Sequence, residues 1–142
     1  MDADGTGYEF FEHTADVGIR ASGATQAELF LRMAEGLRAL LIEDSPVAVR
    51  ETRAIQLAAE DAERLLLAWL QELLFQFSTG GFLSATVVFE AVSPTALHAQ
   101  LRGERFDPAR HQQGREVKAI TRHLLEVKQE RGAWRGQVIV DV

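Results

Sequence analysis

Two carboxylates near opposite ends of the chain are the residues best suited to carry chemistry. Asp16 ends a four-residue stretch that begins at His13 and directly precedes an apolar segment, and Asp141 interrupts another apolar segment just before Val142. A buried carboxylate is costly unless it is paired or ligated. Oxygen ligands suit Ca²⁺, Mg²⁺ or Mn²⁺ better than Zn²⁺. If the two ends meet, Asp16, Asp141 and a backbone or terminal oxygen of Val142 form a candidate divalent-cation site; the alternative is that Asp141 is solvated at a strand end.

One lysine and three histidines are further candidates for a functional role, although each could instead be an ordinary exposed or hydrogen-bonded side chain. His13 could be a ligand for Mn²⁺ or could orient Asp16 through a hydrogen bond. Lys118 follows a glycine-bearing loop and could reach an anion or a partner carboxylate, although an exposed lysine is the commoner case. His111 and His123 have the residue type of an acid or base, but a surface or hydrogen-bonded histidine is the more frequent finding.

The sequence lacks the motifs of several nucleotide-binding and catalytic classes. It contains no G-x-x-x-x-G-K-[ST], no G-x-G-x-x-G after a strand, no H-E-x-x-H and no G-x-S-x-G. A metal-dependent hydrolase would therefore have to use Asp16 and Asp141 around an ion, with His13 as the nearby base. A chaperone-like adaptor that binds clients through an apolar helix face would instead need an exposed apolar patch.

Composition narrows the class of protein. The 142 residues are the size of one domain, spanning 1–142 with a loose tail over 1–7. A net charge of −6 argues against direct, tight nucleic-acid binding and favours a basic partner protein. The absence of cysteine excludes disulfides and thiolate metal sites. Without an apolar run that could span a bilayer, a signal peptide or a dimerisation heptad, we expect a cytoplasmic monomer with no membrane association.

The apolar patterning predicts two helices among antiparallel strands. A capping-box pattern at Thr25 and Glu28 begins a helix over residues 25–42, and a more apolar helix over 61–78 is the expected central buried element. Alternation predicts strands over residues 8–11, 17–21, 47–59, 82–92, 96–102, 117–128 and 134–142. These elements do not alternate as β-α-β units, which predicts an α+β fold of two layers, with a mostly antiparallel sheet packed against two main helices.

Short motifs occur along the chain in a fixed order. They are residues 13–19, 21–23, 28–30, 65–66, 69–74, 103–107, 117–123 and 141–142. In this order and spacing they resemble the archease family over residues 8–142. Arg122 departs from the family in the motif over residues 117–123, because archeases commonly have an aromatic residue after the threonine that corresponds to Thr121.

The resemblance implies a function as well as a fold. Archeases are small α+β proteins that activate the RtcB-type RNA ligase of tRNA splicing and RNA repair. The ligase uses GTP and Mn²⁺ and passes through a guanylylated histidine, and the archease promotes guanylylation and multiple turnover without being an enzyme itself.

The resemblance also assigns roles to individual residues. Asp16, Asp141 and Val142 match the family's positions for a divalent metal, which we expect to be calcium, magnesium or manganese. Asp16 and Lys118 match positions tied to activation. His13 and His123 lie in the same motifs, and we expect them to take part in activation or partner contact.

Overall fold

The computed structural model describes residues 7–13 and 16–142, apart from the side chain of His13. Within this part of the chain, the helices are α1 (Gln26–Leu41) and α2 (Ala62–Gly80). The strands are β1 (Gly7–His13), β2 (Asp16–Gly23), β3 (Ile42–Glu43), β4 (Glu51–Ala58), β5 (Phe82–Val92), β6 (Ala96–Arg105), β7 (Gln112–Gln113), β8 (Ala119–Glu130) and β9 (Ala133–Asp141). The predicted α+β class is confirmed.

The described strands form three antiparallel sheets. A four-stranded sheet has the order β1-β2-β9-β8, a three-stranded sheet has the order β4-β6-β5, and β3 pairs with β7 in a short ribbon. Every pairing is antiparallel, as predicted. The division of the strands among separate sheets was not predicted, because pairing between distant segments leaves no local pattern in the sequence.

Both helices begin with the caps that the sequence predicts. The Thr25 hydroxyl accepts a hydrogen bond from the Glu28 N–H at 3.1 Å, while the Glu28 carboxylate accepts one from the N–H of Ala24 at 3.3 Å. Asp61 caps α2 by accepting from the N–H of Arg64 at 2.8 Å. These side chains satisfy amide groups that have no partner within the first turn of a helix.

The apolar face of α2 is buried, as predicted for the central helix. Leu65, Leu66, Trp69 and Leu70 are each 0 % exposed. The Trp69 indole N–H donates to the carbonyl oxygen of Phe30 in α1 at 3.0 Å, which joins the two helices. Both helices contact strands of the four-stranded and three-stranded sheets. The main apolar surface of α2 is therefore core and does not form an open groove.

The strand predicted over residues 117–128 is confirmed as β8, Ala119–Glu130, but its pairing with β9 is interrupted, which the alternation did not predict. β8 pairs with β9 through Thr121 and Ile139 and again through Glu126 and Gln137, so residues 122–125 face a single residue of β9. Residues 122–125, called the β8 bulge below, therefore add three extra residues to β8, and this odd number shifts the side-chain phase between the two halves of the strand. Lys118 and Glu126 consequently do not share the continuous alternation that the sequence suggested.

Smaller boundary errors lie at the chain terminus and around the polar loops. Residues 1–6 of the predicted tail lie outside the described residues, whereas Gly7 already pairs with Ser22 in β1. The strand predicted from residue 47 begins at Glu51, and β6 continues to Arg105 into the segment predicted as a loop. No helix in the described part of the chain is both long and apolar enough to cross a membrane.

Candidate functional site

The four-stranded sheet brings the two ends of the chain together. His13 and Asp16 form the last pair of the β1–β2 hairpin, and Val17 of β2 pairs with Val140 of β9. Asp16 directly precedes Val17, and Asp141 directly follows Val140. Continuing the antiparallel register by one residue therefore sets Asp16 opposite Asp141, at one end of the central strand pair.

The two carboxylates share the outer face of the sheet. Val17 and Val140 point into the core, and side chains alternate between faces along each strand. Asp16 and Asp141 are therefore on the opposite, outer face, where each is half-buried. Cross-strand neighbours have Cβ atoms about 5 Å apart, and like charges at that separation repel each other. A cation between them would remove this repulsion.

The donors at this location fit a hard divalent ion only if the backbone contributes. Among the described side chains, no three His, Asp or Glu come together as a metal-binding group. Two carboxylates leave most positions around Ca²⁺ or Mg²⁺ to backbone oxygens and water, which such ions accept. Val142 follows Asp141 directly and is the nearest backbone donor. We call Asp16, Asp141 and Val142 the acidic end.

Lys118 lies beside the acidic end, directly before β8, the strand that borders β9. Its backbone N–H donates to the carbonyl oxygen of Asp141 at 2.8 Å, and Ala119 then pairs with Asp141 at the start of β8. The Lys118 side chain is exposed. The sheet therefore holds the Lys118 backbone beside Asp141, while the cationic side chain is open to solvent.

The two candidate histidines of this site are placed differently. The backbone of His13 closes the β1–β2 hairpin opposite Asp16, while its side chain and residues 14–15 lie outside the described residues. His123 is exposed in the β8 bulge, two residues beyond Thr121. One end of the same sheet thus holds the backbones of His13, Asp16 and Asp141, with Lys118 beside them and His123 at the margin, and their roles stay predictions.

A second polar cluster, which was not predicted, surrounds Glu104. Its carboxylate is only 3 % exposed. It accepts hydrogen bonds from the Ala48 N–H at 2.6 Å, from Arg110 Nη1 and Nη2 at 2.6 and 2.5 Å, and from Arg50 Nε at 3.2 Å. The Ala48 N–H and the Arg110 charge hold the pKa of the Glu104 carboxyl below its usual value, against the opposing effect of burial.

His111 completes this cluster and is structural. Its Nδ1 accepts a hydrogen bond from the Asp107 N–H at 2.9 Å, so the proton is assigned to Nε2. Nε2 lies 3.1 Å from Glu104 Oε2 and 3.2 Å from the Pro46 carbonyl oxygen, and its proton is donated toward them. With both nitrogens engaged and the side chain fully buried, His111 is the hydrogen-bonded histidine that the sequence favoured over a base.

Two cavities lie away from the acidic end. One, of about 240 Å³, covers the outer face of the four-stranded sheet and is lined by residues that include Arg20, Lys128 and Arg135. Another, of about 430 Å³, lies between Arg50 and Arg105 beside the Glu104 cluster. Neither cavity is lined by Asp16 or Asp141, so neither supports the hydrolase alternative, which needs a substrate pocket at the carboxylates.

Comparison with known proteins gives consistent matches over almost the full length. Residues 8–142 match the profile described as the archease protein family (MTH1598/TM1083). The chain is 32% identical to protein archease of Methanosarcina mazei, with 100% of each chain covered. It is 35% identical to protein archease of Pyrococcus abyssi, over 95% of this chain and 98% of that protein.

Two solved structures share the fold. The solution structure of Methanobacterium thermoautotrophicum protein 1598 superposes with a TM-score of 0.80 at 34% identity, covering 96% of this chain and 99% of that one. The crystal structure of a Thermotoga maritima archease, described as a possible chaperone, gives a TM-score of 0.63 at 23% identity, covering 93% and 94%. At that identity the second match supports the fold alone.

Proposed function

The chain belongs to the archease family, and from this membership we propose that it is a non-catalytic activator of an RtcB-type RNA ligase. In this role it promotes guanylylation of the ligase by GTP and its multiple turnover, in tRNA splicing or RNA repair. The proposal extends the sequence resemblance; the relatives themselves are named only as archeases.

The observation that carries the proposal is the position of Lys118 beside the acidic end. Two carboxylates and one exposed cationic side chain lie at the end of a four-stranded sheet, and the Lys118 N–H to Asp141 bond fixes their backbones relative to each other. A charged sheet edge held by backbone hydrogen bonds, with neither cavity lined by its carboxylates, suits contact with a partner protein better than it suits enclosing a substrate.

Asp16, Asp141 and a backbone oxygen of Val142 are the groups that would hold a divalent ion. When bound, the ion would supply positive charge that neutralises the two carboxylates. Hard cations prefer oxygen donors of this type, and calcium, magnesium and manganese are the candidates. Lys118 stands outside this donor set and remains available to contact an anionic group of the ligase.

The net charge of −6 supports a basic protein as partner. Electrostatic complementarity raises the rate of encounter and selects among partners, and a ligase that binds RNA must present basic surface. Direct, tight binding of nucleic acid by this chain is not part of the proposal. We further propose that the protein acts in the cytoplasm as one monomeric domain over 1–142.

The direct test is guanylylation and multiple-turnover ligation by the RtcB-type ligase of the same source. The assay contains GTP and Mn²⁺, with this protein added at substoichiometric amounts. We expect wild-type protein to raise both rates, and Asp16→Ala, Asp141→Ala and Lys118→Ala to lose the effect. A Lys128→Ala control removes an exposed lysine at the far end of β8. Failure of the wild-type protein to stimulate the ligase would overturn the proposal.

The same assay distinguishes the proposed activator from the chaperone-like alternative. That alternative would use the apolar face of α2, which is buried here against the core, with Leu66 and Trp69 0 % exposed. A general chaperone would also raise the yield of active ligase irrespective of Asp16, Asp141 and Lys118. Loss of stimulation on changing these three residues therefore favours the activator.

A further inference from the structure

Leu124, in the β8 bulge, has a backbone conformation that is unusual for leucine. Its φ angle is +56°, in the left-handed region where a Cβ atom crowds the backbone. The described chain has two other non-glycine residues with positive φ, and both have local explanations. Asp44 is of a type that tolerates this region, and Arg131 precedes Gly132 in the turn between β8 and β9.

The strain at Leu124 brings no burial in return. The residue is 48% exposed, although its neighbour Leu125 packs against the core. The side-chain amide of Gln137 donates to the Leu124 carbonyl oxygen at 2.8 Å, and the Thr121 hydroxyl donates to that of Ile139 at 2.9 Å. These bonds hold the bulge over the outer face of the sheet, so a large apolar side chain is presented to solvent from a fixed backbone.

The bulge lies close to the acidic end, on the same face. Ala119 pairs with Asp141 and Thr121 with Ile139, and the bulge begins at the next residue. The Leu124 carbonyl is bonded to Gln137, four residues before Asp141 in β9, and four residues of strand span about 13 Å. A standard protein interface covers about 800 Å² of each partner, a disc with a radius of roughly 16 Å. A partner centred on the acidic end therefore also covers Leu124.

We propose that Leu124 is an anchor residue for the ligase, inserting into a shallow apolar recess next to the site that receives the acidic end. This inference rests on the proposed function and adds the contact that positions the charged groups. Strained residues cluster where partners bind, and bulges re-aim side chains next to functional sites. A buried apolar anchor beside the acidic end adds affinity to the charged contacts, which mainly set the rate of encounter and the choice of partner.

The test compares binding and stability in the same variants. Leu124→Asn and Leu124→Gly remove the apolar side chain but suit positive φ, whereas Leu124→Met keeps an apolar side chain. Fluorescently labelled ligase is titrated with each protein, and thermal unfolding is recorded in parallel. We expect the Asn and Gly variants to raise Kd about tenfold, equivalent to about 1.4 kcal/mol, with no loss of Tm. We expect the Met variant to bind like wild type.

Phe75→Gln is the matched control. Phe75 is 60% exposed on α2, outside the four-stranded sheet. Its substitution by Gln should leave the Kd for the ligase unchanged. If wild-type protein stimulates the ligase but the Asn and Gly variants bind equally well, the anchor is wrong and the activator function stands. A fall in Tm that accompanies weaker binding would assign Leu124 a packing role and also overturn it. If wild-type protein neither binds nor stimulates, the proposed function fails and the anchor fails with it.

Discussion

Asp16 and Asp141 extend the register of the Val17–Val140 pair by one residue, so the first residue of β2 and the last of β9 place two carboxylates on the outer face of one sheet. The residues are separated by almost the whole sequence. Their proximity is produced by the hairpin that leads into β2 and by the antiparallel return of β9. The acidic end is therefore a property of the sheet and not of a local motif.

A divalent cation should reverse the effect of these carboxylates on stability. Without a cation, Asp141→Asn should leave stability unchanged or raise it by up to about 1 kcal/mol, because like charges across a strand pair repel. At a cation concentration 100 times Kd, wild type should gain about 2.7 kcal/mol, and the variant should gain much less. Thermal unfolding in EDTA and in CaCl₂ or MnCl₂ measures both effects. Glu60→Gln, an exposed carboxylate at the start of α2, is the control; an unchanged wild-type Tm on adding either cation would contradict the site.

Lys118 should matter for activation and not for folding. Its contribution to the sheet is a backbone N–H bond to Asp141, which alanine retains, and its side chain is exposed. Lys118→Ala should therefore change stability by no more than about 0.5 kcal/mol. Its stimulation of ligase guanylylation should fall at least tenfold, a loss of about 1.4 kcal/mol in coupling. Equal activation by Lys118→Ala and by Lys128→Ala would show that the lysine at the acidic end has no special role.

The helices were predicted well because their caps and their apolar periodicity lie within a short stretch of sequence. Thr25, Glu28 and Asp61 sit at the helix starts, and the apolar stripe behind each cap has the period of a helix. The acidic end was also predicted in outline, since a carboxylate inside an apolar strand is unusual wherever that strand lies. What the sequence left open was the register that sets Asp16 opposite Asp141.

Two features escaped prediction for different physical reasons. The Glu104 cluster draws its partners from Ala48, Arg50, Arg110 and His111, so no single window of sequence contains its pattern. The β8 bulge was hidden because residues 117–128 alternate well enough to suggest one continuous strand. Only the pairing with β9 shows that four residues there oppose one.

Glu104 should make stability sensitive to acid. Its pKa is lower in the folded protein than the ordinary value of 4.5, so the unfolded chain takes up a proton first as the pH falls. The stabilisation is complete above about pH 4.5 and is lost as the pH falls through the folded-state pKa. Glu104→Gln should lower Tm at pH 7 and flatten this part of the profile. Tm profiles that run parallel for wild type and variant between pH 7 and 3 would contradict the assignment.

His111 should carry a ring proton on Nε2 and none on Nδ1. Nδ1 is occupied by the Asp107 N–H, which leaves Nε2 as the donor toward Glu104 and Pro46. Nitrogen chemical shifts of the ring, recorded by NMR near pH 7, identify the tautomer directly. His111→Ala should cost about 3 kcal/mol, because it leaves a cavity and unpaired buried groups. The Nδ1–H tautomer, or a loss of less than about 1 kcal/mol in the free energy of unfolding, would contradict the structural role of His111 beside Glu104.

Gly103 should tolerate no side chain, because β5 passes directly over it. A Cβ atom at this position would lie 1.8 Å from the Leu83 carbonyl oxygen and 2.9 Å from the Ser84 Cα, both backbone atoms that cannot rotate away. Gly103→Ala must therefore separate β6 from β5 next to Glu104, and we expect a loss of about 3 kcal/mol or more.

Gly80→Ala gives the opposite expectation from the same chemical change. A Cβ atom there would approach only the Arg53 guanidinium, at 3.9 Å, inside the last turn of α2. Alanine should raise stability by about 0.4–1 kcal/mol, because it restricts the unfolded chain without strain in the folded one. Chemical denaturation measures the free energy of unfolding of Gly103→Ala and Gly80→Ala against wild type. If Gly103→Ala is as stable as wild type, β5 and β6 can separate at no cost in free energy. That result would contradict the close contact between these strands beside Glu104.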